Sequence, residues 1–154
     1  MAEKSRDTQT ATDNELVINR TFDAPRELVW KAWTEDMDKW SAPRGFTIPF
    51  SDGDLRPGSK WRATMVSPEG KELALVGVYR EIVPPERLVF THAWDDNGKP
   101  GPETVVTVTL IARGQKTEMN FRQTEFDSVE SRNGHAEGWG ECFDILEELL
   151  AAKV

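Results

Sequence analysis

The stretch Asp127 to Ala152 constrains the fold more than any other part of the chain. Placed at about 100° per residue, His135, Gly138, Trp139, Cys142, Leu146, Leu149 and Leu150 share one stripe, with Phe143 and Ile145 at its flanks. Glu137, Glu141, Asp144 and Glu148 fall on the opposite side. The pattern predicts one long amphipathic helix, and Asp127 followed by Glu130 reads as a capping box at its start. Gly134, Gly138 and Gly140 each cost such a helix about 1 kcal/mol relative to alanine, so they need a reason. Gly138 beside Trp139 reads as a close approach of backbone to strands or ligand. Gly134 reads as a kink or a late helix start, and Gly140 sits off the stripe. A helix with one apolar stripe must lie on something.

The rest of the chain supplies strands. Residues 1–14 are polar and without periodicity, and read as a mobile tail ahead of a single domain over residues 15–154. Glu15 to Phe22 alternates as a strand, with Leu16, Ile18 and Arg20 on one face. Asp23 and Pro25 then open a helix over Arg26 to Trp33, with Asp23 as its cap. A second short helix runs through Met37 and Trp40. From Phe46 to Glu125 the period is two. Pro49 inside the Phe46–Ile48–Phe50 alternation predicts an edge strand or a break. Strands follow over Ser59–Ser67, Glu72–Val83, Arg87–Trp94, Glu103–Ala112 and Lys116–Glu125. Short turns join them, except for a long loop over Asp95–Pro102. Hairpin succession predicts an antiparallel meander whose open face the last helix covers.

Charge and cysteine usage exclude several classes. With 19 Lys and Arg against 27 Asp and Glu, the net charge of −8 argues against nucleic acid or an anionic membrane as the main partner. No apolar run reaches the roughly 18 residues needed to span a bilayer, and no signal-peptide segment is seen. The single cysteine, Cys142, suits a reducing cytoplasm and reads as a small core residue. Two histidines without C-x-x-C or H-E-x-x-H spacing predict no metal site, and no nucleotide or dinucleotide motif points to a cofactor.

Four stretches in order carry a resemblance: F-D-A-P-R-E-L-V-W-K-A-W-T from Phe22, D-L-R-P-G-S-K-W from Asp54, G-V-Y-R-E-I-V-P-P-E-R-L-V-F-T from Gly77, and H-A-E-G-W from His135. Over about Glu15 to Ala152 the chain resembles the helix-grip (START-like) superfamily, and within it the family of the activator of Hsp90 ATPase. The resemblance implies an α+β fold: a curved antiparallel sheet of six or seven strands wrapped on a long C-terminal helix, with two short helices after the first strand. It also implies a cavity between sheet and helix, in which members of the superfamily hold lipids, sterols, polyketides and other apolar molecules. In the eukaryotic cochaperone this domain follows a separate Hsp90-binding domain, for which 154 residues leave no room, so a chaperone partner carries over weakly.

The residues expected at such a cavity are Trp30, Phe46, Phe50, Trp61, Met65, Tyr79, Phe90, His92, Trp94, Met119, Phe121, Gln123, His135, Trp139 and Phe143. Each aromatic taken singly reads more readily as plain core; taken together they exceed what a small sheet needs. His135, with Ser128, Ser131 and Arg132 on its stripe, makes the first turns of the helix polar where the last are apolar. That gradient points to an amphipathic ligand with its head toward the helix start. Glu125 beside His135 would make an acid–base pair suited to cyclase or lyase chemistry; the alternative is an exposed strand end. No residue is assigned a catalytic role. Binding of a small apolar or amphipathic molecule leads, with enzymatic use of the same cavity and a chaperone-linked interaction as the competing classes.

Overall fold

A computed structural model describes residues 8–12 and 14–153. The strands are β1 (Thr8–Thr12), β2 (Glu15–Phe22), β3 (Thr47–Gly53), β4 (Lys60–Val66), β5 (Glu72–Val83), β6 (Arg87–Asp96), β7 (Lys99–Pro100), β8 (Thr104–Arg113) and β9 (Lys116–Thr124). The helices are α1 (Arg26–Thr34), α2 (Met37–Trp40) and α3 (Val129–Ala151). All strand pairs are antiparallel, in the order β1-β2-β9-β8-β6-β5-β4-β3, with β7 a short addition to β6. The two helices after β2 carry the chain across to the far edge. The first long strand therefore pairs with the last, and consecutive hairpins fill the space between.

The expected α+β helix-grip architecture is present, with four local corrections. Among the described residues the sheet has nine strands, the expected six or seven joined by two short pairings that escape periodicity. Residues 8–12, read as part of a mobile tail, form β1 against β2, and the rest of that segment, residues 1–7 and 13, lies outside the described residues. The loop over Asp95–Pro102 is partly strand, with Asp95 opposite Pro100 and Asp96 opposite Lys99. The cap of α3 is Ser128, whose side chain accepts from the Ser131 N–H at 3.0 Å, one residue later than the expected Asp127 box. Asp23 likewise does not cap α1, whose N-cap position is Pro25.

Alternation places Leu16, Ile18, Arg20 and Phe22 of β2 and Thr117, Met119, Phe121 and Gln123 of β9 on the covered face. They meet the C-terminal half of α3 through Phe143, Leu146 and Leu150, and α1 through Val29, Ala32 and Trp33. A second, smaller cluster of Ala42, Met65 and Leu75 forms under β3 to β5. The sheet is thus packed solid on one side of its long axis and only lightly on the other.

Trp61 knits the two sides together. It lies opposite Gly77 in the β4–β5 register, and its Nε1 crosses that glycine to donate to the Thr91 carbonyl on β6 at 3.2 Å. The Thr91 hydroxyl accepts in turn from the Val78 N–H at 2.8 Å. A Cβ on Gly77 would lie 1.9 Å from the Thr91 oxygen and 2.4 Å from the indole nitrogen. Backbone cannot yield that far, so Gly77→Ala is expected to cost about 3 kcal/mol or more through overpacking. A urea midpoint unchanged from the parent protein would refute this account of Trp61.

Candidate functional site

A cavity of about 680 Å³ lies between the lightly packed side of the sheet and the N-terminal half of α3. That volume falls within the roughly 300–1,000 Å³ usual for small-molecule sites. From the strands come Ile48, Trp61, Met65, Leu73, Leu75 and Tyr79, then Phe90, His92 and Trp94 of β6. The loop before β3 adds Phe46, and α1 and α2 contribute Trp33 and Met37. The wall on α3 is made by Ser131, Gly134, His135, Gly138, Trp139 and Cys142, one residue or pair per turn of a single stripe.

Of the expected residues, Phe46, Trp61, Met65, Tyr79, Phe90, His92, Trp94, His135 and Trp139 stand on this wall. The others do not, for identifiable reasons. A register shift between Thr47 and Phe50, at Pro49, reverses parity along β3. Ile48 and Ser51 therefore line the cavity, while Phe50 is 44% exposed with the Arg62 guanidinium 5.3 Å from its ring centre. Met119, Phe121 and Phe143 belong to the solid half of the core, where Phe121 meets Trp139 at 4.8 Å and Phe143 at 5.2 Å between ring centres. Trp30 packs against that core from the side, off the cavity. Strand parity assigns a face but not a lateral position on it. Leu73 and Leu75 were missed although they share the parity of Tyr79, the signal that could have found them.

Gln123 also stands away from the wall, with both ends of its amide engaged. Trp139 Nε1 donates to its Oε1 at 2.9 Å, and its Nε2 donates to the Thr104 hydroxyl at 2.8 Å. That hydroxyl donates to the His92 carbonyl at 2.9 Å. This buried relay crosses α3, β9, β8 and β6 and fixes the Trp139 indole on the cavity wall.

The glycines of α3 have a different role from the one expected. A Cβ on Gly134 or Gly138 would meet no atom within 4 Å, so no close packing of backbone requires them. Both lie on the cavity side of the helix, and their missing side chains enlarge the space.

His135 donates from Nδ1 to the Ser131 carbonyl at 2.8 Å, and its Nε2 is buried and without a protein partner among the described residues. Its ring centre is 5.7 Å from that of His92 and 5.1 Å from that of Phe126. Glu125 is exposed and takes a left-handed backbone conformation (φ 69°), as the exposed-strand-end reading has it, and His135 contacts Ser131. Burial, with the neighbouring His135 adding to it, pushes the His92 imidazole down to about 3. Burial likewise raises the Tyr79 hydroxyl and, with Glu141, pushes the Cys142 thiol up to about 12. The ring of His92 and the thiol of Cys142 are therefore both uncharged at neutral pH. Among the described residues, no group of three or more His, Cys, Asp or Glu is placed to hold a metal ion.

At the rim, Glu35, Asp38, Asp52 and Arg62 are exposed. The α2 side of the rim is tied to the end of α3. Burial works against the Asp36 carboxylate, but Lys153 at 3.0 Å and Lys39 at 3.2 Å outweigh it and hold the group below its ordinary value. The segment before β3 is held by the Arg44 N–H, which donates to Glu141 at 2.7 Å, and by the Arg44–Glu148 ion pair. A second hollow of about 390 Å³ lies beyond His92, Trp94, Ser131 and His135, which it shares with the large cavity. Asp127, Ser128 and Glu130 border it on the helix side.

His92 gives a pH dependence of definite sign. Its pKa falls from 6.5 to about 3 on folding, so between those values the unfolded chain binds more protons. Stability must then fall as pH drops below 6.5, by about 1.4 kcal/mol per pH unit. Between pH 6.5 and 4, above the range in which Asp36 takes up its proton, the His92 share is about 3 kcal/mol. Urea unfolding across that window is expected to show this loss in the parent protein and to lack it in His92→Phe. Equal slopes in the two proteins would refute it.

The sequence matches the family model described as Activator of Hsp90 ATPase homolog 1-like protein over residues 23–151. No curated protein matches. A crystal structure of a Nitrosomonas europaea protein is 28% identical with a TM-score of 0.80, covering 94% of this chain and 98% of that one. The AHSA1 protein of Silicibacter pomeroyi is 27% identical with a TM-score of 0.81, covering 91% of this chain and 99% of its own. An Arthrobacter aurescens protein, at 23% identity, shares the fold with a TM-score of 0.86 over 94% of this chain and 91% of its own. No helix among the described residues is long and apolar enough to cross a membrane. With the family model covering β3 to β9 and all three helices, the chain belongs to the activator of Hsp90 ATPase homolog 1-like family.

Proposed function

We propose that the protein binds a small hydrophobic or amphipathic molecule in the cavity between the sheet and α3. The observation that carries this reading is the 680 Å³ space itself, walled by Trp33, Trp61, Phe90 and Trp139 where a stable core would be filled. Protein interiors close-pack unless something opposes it, and here glycines and a strand bulge both remove side chains from the gap. Binding would be driven by burial of apolar surface, at about 25 cal/mol per Å². The polar face presented by His135 and Ser131 supports an amphipathic occupant, with its head toward the start of α3. A chaperone-linked role rests on the family description alone, whereas ligand binding has a geometric feature behind it. Cyclase or lyase chemistry loses its main support with the exposure of Glu125.

The test uses naphthalene as a bare apolar probe, read through the indoles that border the cavity. A saturable change in tryptophan emission is expected. Ala63, on the β4 wall, can be enlarged to Phe to fill the space, and Ala63→Phe is expected to weaken binding at least tenfold while the protein stays folded by circular dichroism. Absence of saturable binding in the parent protein, or equal binding by folded Ala63→Phe, would overturn the reading.

A further inference from the structure

This inference rests on the ligand-binding reading of the cavity and names the polar group that its occupant carries. The second hollow, of about 390 Å³, lies at the start of α3 behind a partition of three rings. Between ring centres, His92 stands 5.9 Å from Trp94 and 5.7 Å from His135, and Trp94 stands 6.2 Å from His135. Each of the three borders both the hollow and the large cavity. A molecule whose apolar body fills the cavity is thus positioned to place its end group in the hollow. Trp94 is 40% exposed, so its ring is open to such a group.

The chemistry of the hollow is one-sided. Among the described residues, no lysine or arginine borders it. Asp127 and Glu130 do, both exposed, and neither forms an ion pair with a described residue. The start of α3 brings about half a positive charge there, against two full negative ones, and Ser128 already caps the Ser131 N–H. The ring of His92 is an independent sign of a partner. It is 8% exposed, and no other described residue bonds it. In contrast to His135 Nε2, its nitrogens are not both sealed, so at least one opens toward the spaces that the ring borders. The imidazole stays uncharged down to about pH 3, so it keeps an unshared pair for an N–H donor and does not repel a cation. Tryptophan offers the aromatic face that attracts a cation most strongly. An anion in the same place would meet two like charges.

We propose that the second hollow is an ammonium site and that the occupant is an amphipathic amine. Its apolar body lies in the large cavity. Its ammonium group sits between the Trp94 ring and the carboxylates of Asp127 and Glu130, with His92 accepting one of its N–H groups.

The experiment is calorimetric titration of the intact protein at pH 8 with octylamine, octyltrimethylammonium, octanol and octanoate, which share one apolar chain. At that pH the amine is a cation. It is expected to bind about tenfold more tightly than octanol, and octanoate more weakly than octanol. Octyltrimethylammonium, which keeps the charge but has no N–H, should fall between the amine and octanol. The double variant Asp127→Asn with Glu130→Gln changes two exposed side chains. It should bind octanol as the parent does, while its preference for the amine shrinks to about threefold or less. The same neutralisation at the other mouth, Asp38→Asn with Asp52→Asn, should leave the preference intact. Equal binding of amine and octanol, a preference that survives in the first double variant, or one lost only in the second overturns this inference and leaves the binding reading standing. Failure of octanol and naphthalene alike overturns both.

Discussion

The aromatic junction around Trp33 holds the rest of the molecule in place. Its indole lies 4.7 Å from Trp40, 6.2 Å from Phe121 and from Phe143, and 6.0 Å from Trp139, measured between ring centres. One side chain of α1 thereby touches α2, β9 and α3 together. Rings of this size contribute large buried areas and prefer the offset and edge-on contacts seen here. The junction fixes where the long helix crosses the sheet. The C-terminal half of α3 is pressed down by Phe143, Leu146 and Leu150, and the N-terminal half is left spanning β4 to β6 at a distance.

The cavity follows from that asymmetry. On the junction's side, side chains fill the space to core density. On the other side, three features keep it open: the parity reversal at Pro49 turns Phe50 outward, Gly134 and Gly138 leave α3 bare, and Trp61 is pulled over Gly77 toward Thr91. The relay from Trp139 through Gln123 and Thr104 to the His92 backbone stiffens the boundary between the two halves. A polar network that is fully satisfied and buried specifies one arrangement strongly. Trp33 Nε1 and His135 Nε2, buried and without a partner among the described residues, stand out against it.

Much of this was legible in the sequence, in a graded way. The helix stripe from His135 to Leu150, the alternation in β2 and β9 and the turn chemistry carried the architecture. Aromatic parity identified Trp61, Phe90, His92, Trp94 and Trp139 as inward-facing, and they do line the cavity. The same rule placed Met119 and Phe121 there, where they are solid core, and gave Gln123 to a ligand when its partners are Trp139 and Thr104. Phe50 failed because one extra residue in a strand inverts every later position. The glycines showed in the sequence as a cost without a cause, and their cause lies in what is absent around them.

The sequence by itself determined the order of the longer elements, the face that the regularly alternating strands bury and the family to which the chain belongs, since these follow from local periodicity and ordered motifs. Only the tertiary structure decided which half of the buried face is packed and which is hollow. That division depends on where one helix crosses a curved sheet and on a register shift at a single proline. Both are set by contacts between residues far apart in the chain, such as Trp33 with Trp139 and Trp61 with Thr91, and a pattern of near neighbours holds no record of them.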